Sequence, residues 1–444
     1  YKSDPIKYIE KAIEKMIVRD IKIGFLNATT GNVYYSHWVK ENKDFYFIVN
    51  SDDKPYELEI SLKSIGKPYI WNPENGSIKE LNVYRFENEY MIVQYNPKEL
   101  ESNFIIVEKE SIDNDKILKT NLDNLDYKKI NNKKIYSFIK SNQSKDCYVD
   151  LMQNEEIKHI KLEFGDDKIL KLQDKWVFNR IDPNVLVINN WKMTQGFSEG
   201  SGWFNMLGGT VFIESDFKIN SFGKEVKAVF DKIPQPNEIS INGKVITDFK
   251  KSYYLDHQMQ EADLKDFVKK GINKIMIKFE LKERAFQGKT GINPIEIMYD
   301  PVFIIGDFKL VDNDSDQNHY LIEKENKLIN TGSWTDQGYP YFKGSMEFSQ
   351  RIYIEEDFIK GREIFLVSKE IKEIVKLYVN NEEAGLKPWQ PYSFNITKYL
   401  KPGENIIKLR VWNTLTNLLD LKKVDSGIIE VISLISKEVQ NIEL

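Results

Sequence analysis

Hydrophobic positions along the chain follow two different periods. At the start they fall at helical spacing, with Ile6, Ile9, Ile13, Met16 and Ile17 on one face. Asp4 stands where an N-cap belongs and Pro5 suits the first turn. One short helix is therefore expected over residues 4–19, with an apolar face that needs a partner. After Gly31 the pattern becomes that of strands. The run Phe45-Tyr46-Phe47-Ile48-Val49-Asn50 is nearly continuous, as for a strand covered on both faces. Leu58 and Ile60 alternate with charges, as in a half-exposed strand. Trp71-Asn72-Pro73-Glu74-Asn75-Gly76 reads as a turn, and its Asn-Gly pair favours a tight hairpin. Residues 83–86, 90–95 and 104–107 supply further strands.

Polar stretches divide this pattern. Residues 109–133, rich in Asp, Asn and Lys, read as a linker. Asp312-Asn313-Asp314-Ser315-Asp316 marks a second boundary; it lacks the Gly and distal Glu of an EF-hand loop and reads as a solvated connection. The expected division is a helix in 1–22 that is left from, or packs on, an upstream domain. A small antiparallel β-sandwich over 23–108 follows, then the linker 109–133 and two strand-rich units over 134–311 and 312–444.

Composition narrows the class. The chain has 444 residues, 41% hydrophobic and 30% charged, as expected of a soluble multi-domain protein. Its net charge of -5 and the absence of a basic stripe give no basis for nucleic-acid binding. No apolar run reaches the ~18 residues of a membrane span. A single cysteine, Cys147, excludes an intrachain disulfide, and the four scattered histidines suggest no zinc site. The chain opens at Tyr1 rather than Met, so a fragment is expected, with nothing to choose between an extracellular and a cytoplasmic location. High Lys, Asn and Ile content suits a low-GC bacterium.

An internal repeat carries the most information. Ala262-Asp263-Leu264-Lys265-Asp266-Phe267-Val268-Lys269-Lys270-Gly271-Ile272-Asn273 matches Phe394-Asn395-Ile396-Thr397-Lys398-Tyr399-Leu400-Lys401-Pro402-Gly403-Glu404-Asn405. Each copy offers an Asx, one turn of helix, a Gly suited to positive φ and an Asn leading into a strand. Upstream of each lies a hairpin, with Asn242-Gly243 in one and Asn380-Asn381 in the other at the turn. This pairing resembles the galactose-binding-like jelly roll, including the sugar-binding domain of family 2 glycoside hydrolases. The expected fold is thus mainly β: three consecutive antiparallel β-sandwiches, the last two galactose-binding-like jelly rolls, preceded by one short helix.

A second resemblance covers most of the chain. His37 followed by Asp44-Phe45-Tyr46-Phe47-Ile48-Val49-Asn50, then Pro68-Tyr69-Ile70-Trp71-Asn72-Pro73 with Gly76, is similar to the segment after the catalytic barrel of family 106 type α-L-rhamnosidases. Trp38 stands where that pattern has Arg, and Asn72 where it has Asp. Gly332-Ser333-Trp334-Thr335-Asp336-Gln337-Gly338-Tyr339-Pro340-Tyr341 and Trp412-Asn413-Thr414-Leu415-Thr416-Asn417-Leu418-Leu419 resemble that group's terminal sandwich. The resemblance implies the non-catalytic C-terminal portion of a glycoside hydrolase, with the catalytic carboxylates on an upstream barrel in the same polypeptide. The chain itself lacks the βα alternation that a barrel needs. The partner implied is an oligosaccharide or polysaccharide. The alternatives are an autonomous lectin-like carbohydrate-binding protein and a structural or adhesive one.

Sugar binding needs an exposed aromatic face with amides or carboxylates beside it. Three loops offer this: Trp389 with Gln390 and Tyr392, Trp334, and Trp203 with Asn205 in the Gly-rich stretch 196–209. His37 joins them through the rhamnosidase-like segment. No catalytic residue is assigned; Glu214, Asp216, Glu261 and Asp263 stand beside apolar positions, and Tyr253-Tyr254-Leu255-Asp256-His257 reads as strand and turn. Jelly rolls of this kind suggest a structural calcium, with ligands that the sequence leaves open.

Overall fold

The computed structural model describes residues 12–13, 16–110, 112, 114–130, 133–141, 146–196, 209–231, 237–281, 302–312 and 320–444. The chain is mainly β, built of predominantly antiparallel sheets that pack as sandwiches. Most of the span expected to form the opening helix, 4–19, lies outside the described residues; residues 12, 13 and 16 are helical, and Ile17 N–H donates to the Ile13 carbonyl at 2.9 Å.

The first sandwich sets four strands, in the order Ile21–Phe25, Leu58–Leu62, Tyr90–Tyr95 and Tyr84–Glu87, against five. The five run Val33–Lys40, Lys43–Asn50, Ser102–Glu108, Lys67–Trp71 and Ile78–Glu80. Tyr46, Ile48, Leu58, Ile60, Val93 and Ile105 fill the space between the sheets. Leu58, Ile60 and Leu62 alternate inward as their pattern predicts. The run 45–50 differs from expectation. Only Asp44, Tyr46, Ile48 and Asn50 point into the core, and Phe45, Phe47 and Val49 are half-buried on the outer face. There Phe45 stacks on Trp38 at 6.0 Å and meets Trp71 edge-on, so aromatic neighbours rather than a second layer shelter it.

The expected linker 109–133 is corrected: it carries the strands Lys116–Thr120 and Asp123–Ile130. The first joins Cys147–Gln153 and Glu156–Leu162 in one sheet. The second joins Lys133–Ile139 and the chain's last strand, Gln440–Glu443, in another. Ile117, Leu122, Phe138, Val149, Leu151 and Ile442 form the shared core. Polar residues prevail along these strands because a unit this small covers few positions per strand.

Two larger sandwiches follow, and one is inserted in the other. Strands Lys168–Lys171 and Lys175–Arg180 belong with strands from 328–438, and together they enclose Trp176, Phe178, Phe348, Leu366, Leu409 and Val411. Between them the described strands from Asn184–Ile188 to Tyr320–Glu323 form a sandwich of their own, around Phe217, Ala228, Ile241, Ile277 and Ile304. The chain enters the small unit, starts the outer roll, builds the inner roll, finishes the outer roll and then returns to the small unit. The boundary expected at 311/312 falls inside the inner roll, where Lys309–Asp312 pairs with Tyr320–Glu323.

The repeat seen in the sequence is reproduced bond for bond. In the inner roll, Asn273 Nδ2 donates to the carbonyls of Lys269 (2.8 Å) and Gly271 (3.1 Å), and its Oδ1 accepts from Lys269 N (2.8 Å) and Asn242 Nδ2 (2.9 Å). In the outer roll, Asn405 makes the same bonds to Lys401 (2.7 and 3.1 Å), Gly403 (3.0 Å) and Asn380 (2.8 Å). Asn242 and Asn380 have φ of 51° and 52°, Gly271 and Gly403 of 97° and 91°. Each turn caps its loop with a buried amide because the bend leaves backbone groups unpaired that burial would otherwise penalise.

Candidate functional site

The seam between the two rolls is apolar at its centre. Val185, Val187, Val229, Tyr254, Met259 and Phe303 of the inner roll pack on Leu418 of the outer roll, with Tyr341 and Leu421 beside it. The stretch Trp412–Leu419, singled out in the sequence, builds this contact. Asn417 Nδ2 donates to the Val424 carbonyl (2.8 Å) and Asn413 Nδ2 to the Phe342 carbonyl (2.8 Å), which fix the turn that presents Leu418.

Beside this apolar strip the seam opens into a cleft of about 400 Å³. Arg180, Asp182 and Lys343 line it from the outer roll, and Lys227, Tyr253 and Glu261 from the inner roll. Glu261 lies on Gln260–Asp263, which pairs with Val226–Phe230; Lys227 stands opposite Asp263 and Glu261 opposite Val229, so Lys227 and Glu261 are diagonal neighbours on one face. Lys227 Nζ stands 3.1 Å from Glu261 Oε1, and Ser252 Oγ donates to Glu261 Oε2 at 3.0 Å. Burial works to lower the Lys227 pKa, but the Glu261 hydrogen bond and charge prevail and raise it.

Deeper in the seam, Arg180 is 4% exposed in its side chain. Its Nε and Nη2 grip Glu325 at 2.6 and 3.0 Å, Nη1 donates to the Asp182 carbonyl at 2.7 Å and Nη2 lies 3.4 Å from Asp307. Burial opposes its charge, yet Glu325 outweighs burial and raises its pKa. Lys343 differs, because among the described residues no carboxylate meets its ammonium in a short ion pair. Its Nζ donates to the Tyr254 carbonyl at 2.7 Å and sits 4.4 Å over the Tyr254 ring. Burial holds its pKa below the ordinary lysine value, against the charge of Asp182. Tyr253 projects outward with 70% of its surface exposed and Lys251 4.9 Å over its ring. The cleft thus joins an exposed ring to fixed donors and acceptors, the combination that holds a polyhydroxylated ligand.

Among the described residues expected to bind sugar, Trp389 alone stays well exposed, at 48%. Its loop lies against the first sandwich through the ion pair of Lys387 with Glu74 at 2.7 Å, while Gln390 is half-buried. Tyr392 is a correction. It sits in the outer roll's core, donates to the Glu373 carbonyl at 2.5 Å, and burial pushes its pKa up to about 12. Trp334 is a second correction, being fully buried, stacked on Phe348 and edge-on to Phe342. Neither offers a face to a ligand. His37 is clamped between Asp20 (2.5 Å) and Asp44 (3.2 Å) and stacked on Tyr46 at 4.1 Å, an arrangement that braces the first sandwich. His257 lies at the surface, 3.0 Å from Asp256. Trp203 and Asn205 lie outside the described residues. Sequence reasoning missed Tyr253 and Lys227 as site residues. The only signal was the Tyr253-Tyr254 pair, which reads equally well as strand and turn.

No family model matches the chain, and no curated protein matches it in sequence. Solved structures similar to it include a rhamnosidase from Novosphingobium sp. PP1Y at 13% identity and TM-score 0.44, covering 96% of this chain and 26% of that one. A Streptomyces avermitilis α-L-rhamnosidase complexed with L-rhamnose matches at 7% identity and TM-score 0.26, over 95% of this chain and 40% of that one. A Bifidobacterium dentium β-glucuronidase matches at 15% identity and TM-score 0.22, over 25% of each chain. The chain spans about a quarter of the length of the first of these structures.

Proposed function

We propose that this chain is the non-catalytic portion of a larger glycoside hydrolase of the α-L-rhamnosidase kind, and that the cleft between its two rolls binds carbohydrate. The carrying observation is the cleft itself, where the exposed Tyr253 ring stands with Lys227, Ser252 and Glu261 at the junction of two duplicated sandwiches. A pyranose would lay its C–H face on Tyr253 and direct hydroxyls to the Glu261 carboxylate and the Lys227 ammonium. The motif resemblance supplies the enzyme class. The rolls would then brace a catalytic barrel and hold part of its polymer substrate.

The test is calorimetric and NMR titration of the chain with L-rhamnosides, galactosides and glucuronides. Binding with a Kd of about 1 mM is expected, weakened up to about tenfold by Tyr253→Ala, the worth of one aromatic stacking contact. Glu261→Gln should weaken it as well. No binding at ~10 mM ligand, or binding indifferent to both variants, rejects the cleft. Loss on Trp389→Ala instead would move the site to that loop. The chain alone should not hydrolyse aryl glycosides; turnover abolished by a single Asp or Glu substitution would overturn the non-catalytic assignment. If the gene encodes no barrel upstream, the autonomous lectin-like reading takes over.

A further inference from the structure

The open edges of the first sandwich are not alike. Ile78–Glu80 is three residues long, and beside Tyr84–Glu87 the backbone of Val83 bridges to Ile117 of the small unit. Ile21–Phe25 is five residues long. Val33–Lys40 is different, with eight residues paired on one side only, to Lys43–Asn50. Its register with that strand runs unbroken from Val33 opposite Asn50 to Lys40 opposite Lys43, so no bulge twists it away. It contains no proline, and its one Lys stands at its end. Edge strands are ordinarily blunted by such devices, because a free row of N–H and C=O groups recruits another strand.

The free row can be identified. Lys40 and Lys43 flank a tight turn, and Ser51 N–H donates to the Asn32 carbonyl at 2.9 Å. Hydrogen-bonded pairs alternate along an antiparallel ladder, so Tyr34, Ser36, Trp38 and Lys40 bond inward to Lys43–Asn50. The N–H and C=O groups of Val33, Tyr35, His37 and Val39 point away from the sheet, and among the described residues they have no hydrogen-bond partner. The side chains beside them are open as well: Tyr34, Tyr35, Trp38 and Val39 are all exposed. Tyr34, Ser36 and Trp38 share the outer face with Phe45 and Phe47.

The strand is complementary to itself. When it is laid antiparallel on a second copy, about a two-fold axis through Ser36, Val33 falls opposite Val39, Tyr34 opposite Trp38 and Tyr35 opposite His37. The outward-pointing residues then pair with one another and close the ladder. Tyr34 and Trp38 form the non-hydrogen-bonded pairs, where side chains approach most closely and aromatic rings stabilise each other. Lys40 falls opposite Asn32, whose N–H and Nδ2 hold the Asp52 carboxylate at 2.9 and 2.7 Å, so opposite charges meet at both ends. Moving the axis to Tyr35 or His37 would set Trp38 against Asn32 or Ser36 instead.

We propose that Val33–Lys40 is a dimerisation edge, which pairs in this register with the same strand of a second copy of the chain. The two five-stranded sheets become one continuous sheet. The interface is isologous, as a two-fold dimer requires. The backbone row supplies attraction and the paired rings set the register. A single strand pair buries little surface, so the dimer dissociates on dilution. This inference stands apart from the carbohydrate reading.

The experiment is sedimentation velocity on the 444-residue chain and its variants. Between about 1 and 100 µM the parent's average mass should rise toward twice that of the monomer. Tyr35→Pro removes an outward N–H and spares the bonds to Lys43–Asn50, so it should stay monomeric. Tyr34→Lys with Trp38→Lys sets like charges opposite each other and should weaken the dimer about tenfold or more. Tyr34→Lys with Trp38→Glu should recover most of that loss. The exposed Ser36→Cys decides the register, and does so even if Tyr35→Pro fails to fold. A residue on the axis meets its own copy at a separation that a disulfide spans. Mild oxidation should link this variant into a dimer and leave Tyr34→Cys unlinked; Cys147 is buried and does not compete. A monomer at every concentration overturns the proposal and leaves this edge to a partner outside the chain. A dimer indifferent to both Tyr35→Pro and the paired lysines overturns it too, as does cross-linking through Tyr34→Cys but not Ser36→Cys.

Discussion

Asn405 holds its loop with four hydrogen bonds from a side chain that is 1% exposed. Asn405→Ala strands Lys401 N–H and C=O, the Gly403 carbonyl and the Asn380 amide, so a loss of about 2–4 kcal/mol is expected. Gly403→Ala is the informative contrast. A Cβ there would meet nothing within 4 Å, so only the φ of 91° resists it, at a cost of about 1–2 kcal/mol. Scanning calorimetry should rank the Tm losses in that order; the reverse would mean that backbone strain, not the amide clamp, secures the repeat. At this scale the sequence was legible where a residue answers its own backbone. Asn and Gly at fixed offsets marked the repeated turn, and the structure added that the Asn amide clamps it. The sequence was not legible for aromatic rings. Trp334, Trp389 and Tyr392 all stand near polar and Gly-rich sequence, yet two fill a core and one faces solvent. The strands that cover them are distant in the chain, so nothing local distinguishes them.

The last strand, Gln440–Glu443, pairs with Lys133–Ile139, and Leu444 exchanges backbone bonds with Lys134 at 2.9 and 2.7 Å. Ile442 enters the small unit's core beside Tyr136 and Phe138. Deleting 440–444 exposes an edge strand and opens that core while leaving the larger rolls intact. Amide exchange should then rise selectively over 133–139 and 147–153, followed by mass spectrometry. Uniform protection across these segments would show that the small unit does not need its returning strand. The strands at 116–130 escaped the sequence reading for the reason that makes this deletion matter. A unit with a thin core buries a few residues in each strand, so its pattern looks like polar linker.

Across the whole molecule, the seam joins two rolls that fold around separate cores, and Arg180 is its most buried charge. Glu325→Gln would leave that guanidinium with Asp307 at 3.4 Å as its remaining carboxylate. Breaking a fully buried pair costs about 3–5 kcal/mol, and the lower end applies here because Glu325 is 24% exposed. Melting should separate into distinct transitions for the two rolls; a single unchanged transition would show that the apolar strip around Leu418 suffices. The sequence by itself determined most strand periods, the paired turns and the duplicated turn element, because each depends on residues close together in the chain. Only the tertiary structure decided the nesting of one roll inside another, the return of the last strand, the amide bonds that clamp each repeated turn, and which side chains meet at the seam. Those depend on pairings between segments that are hundreds of residues apart in some cases, and short-range pattern does not encode which strand becomes whose neighbour.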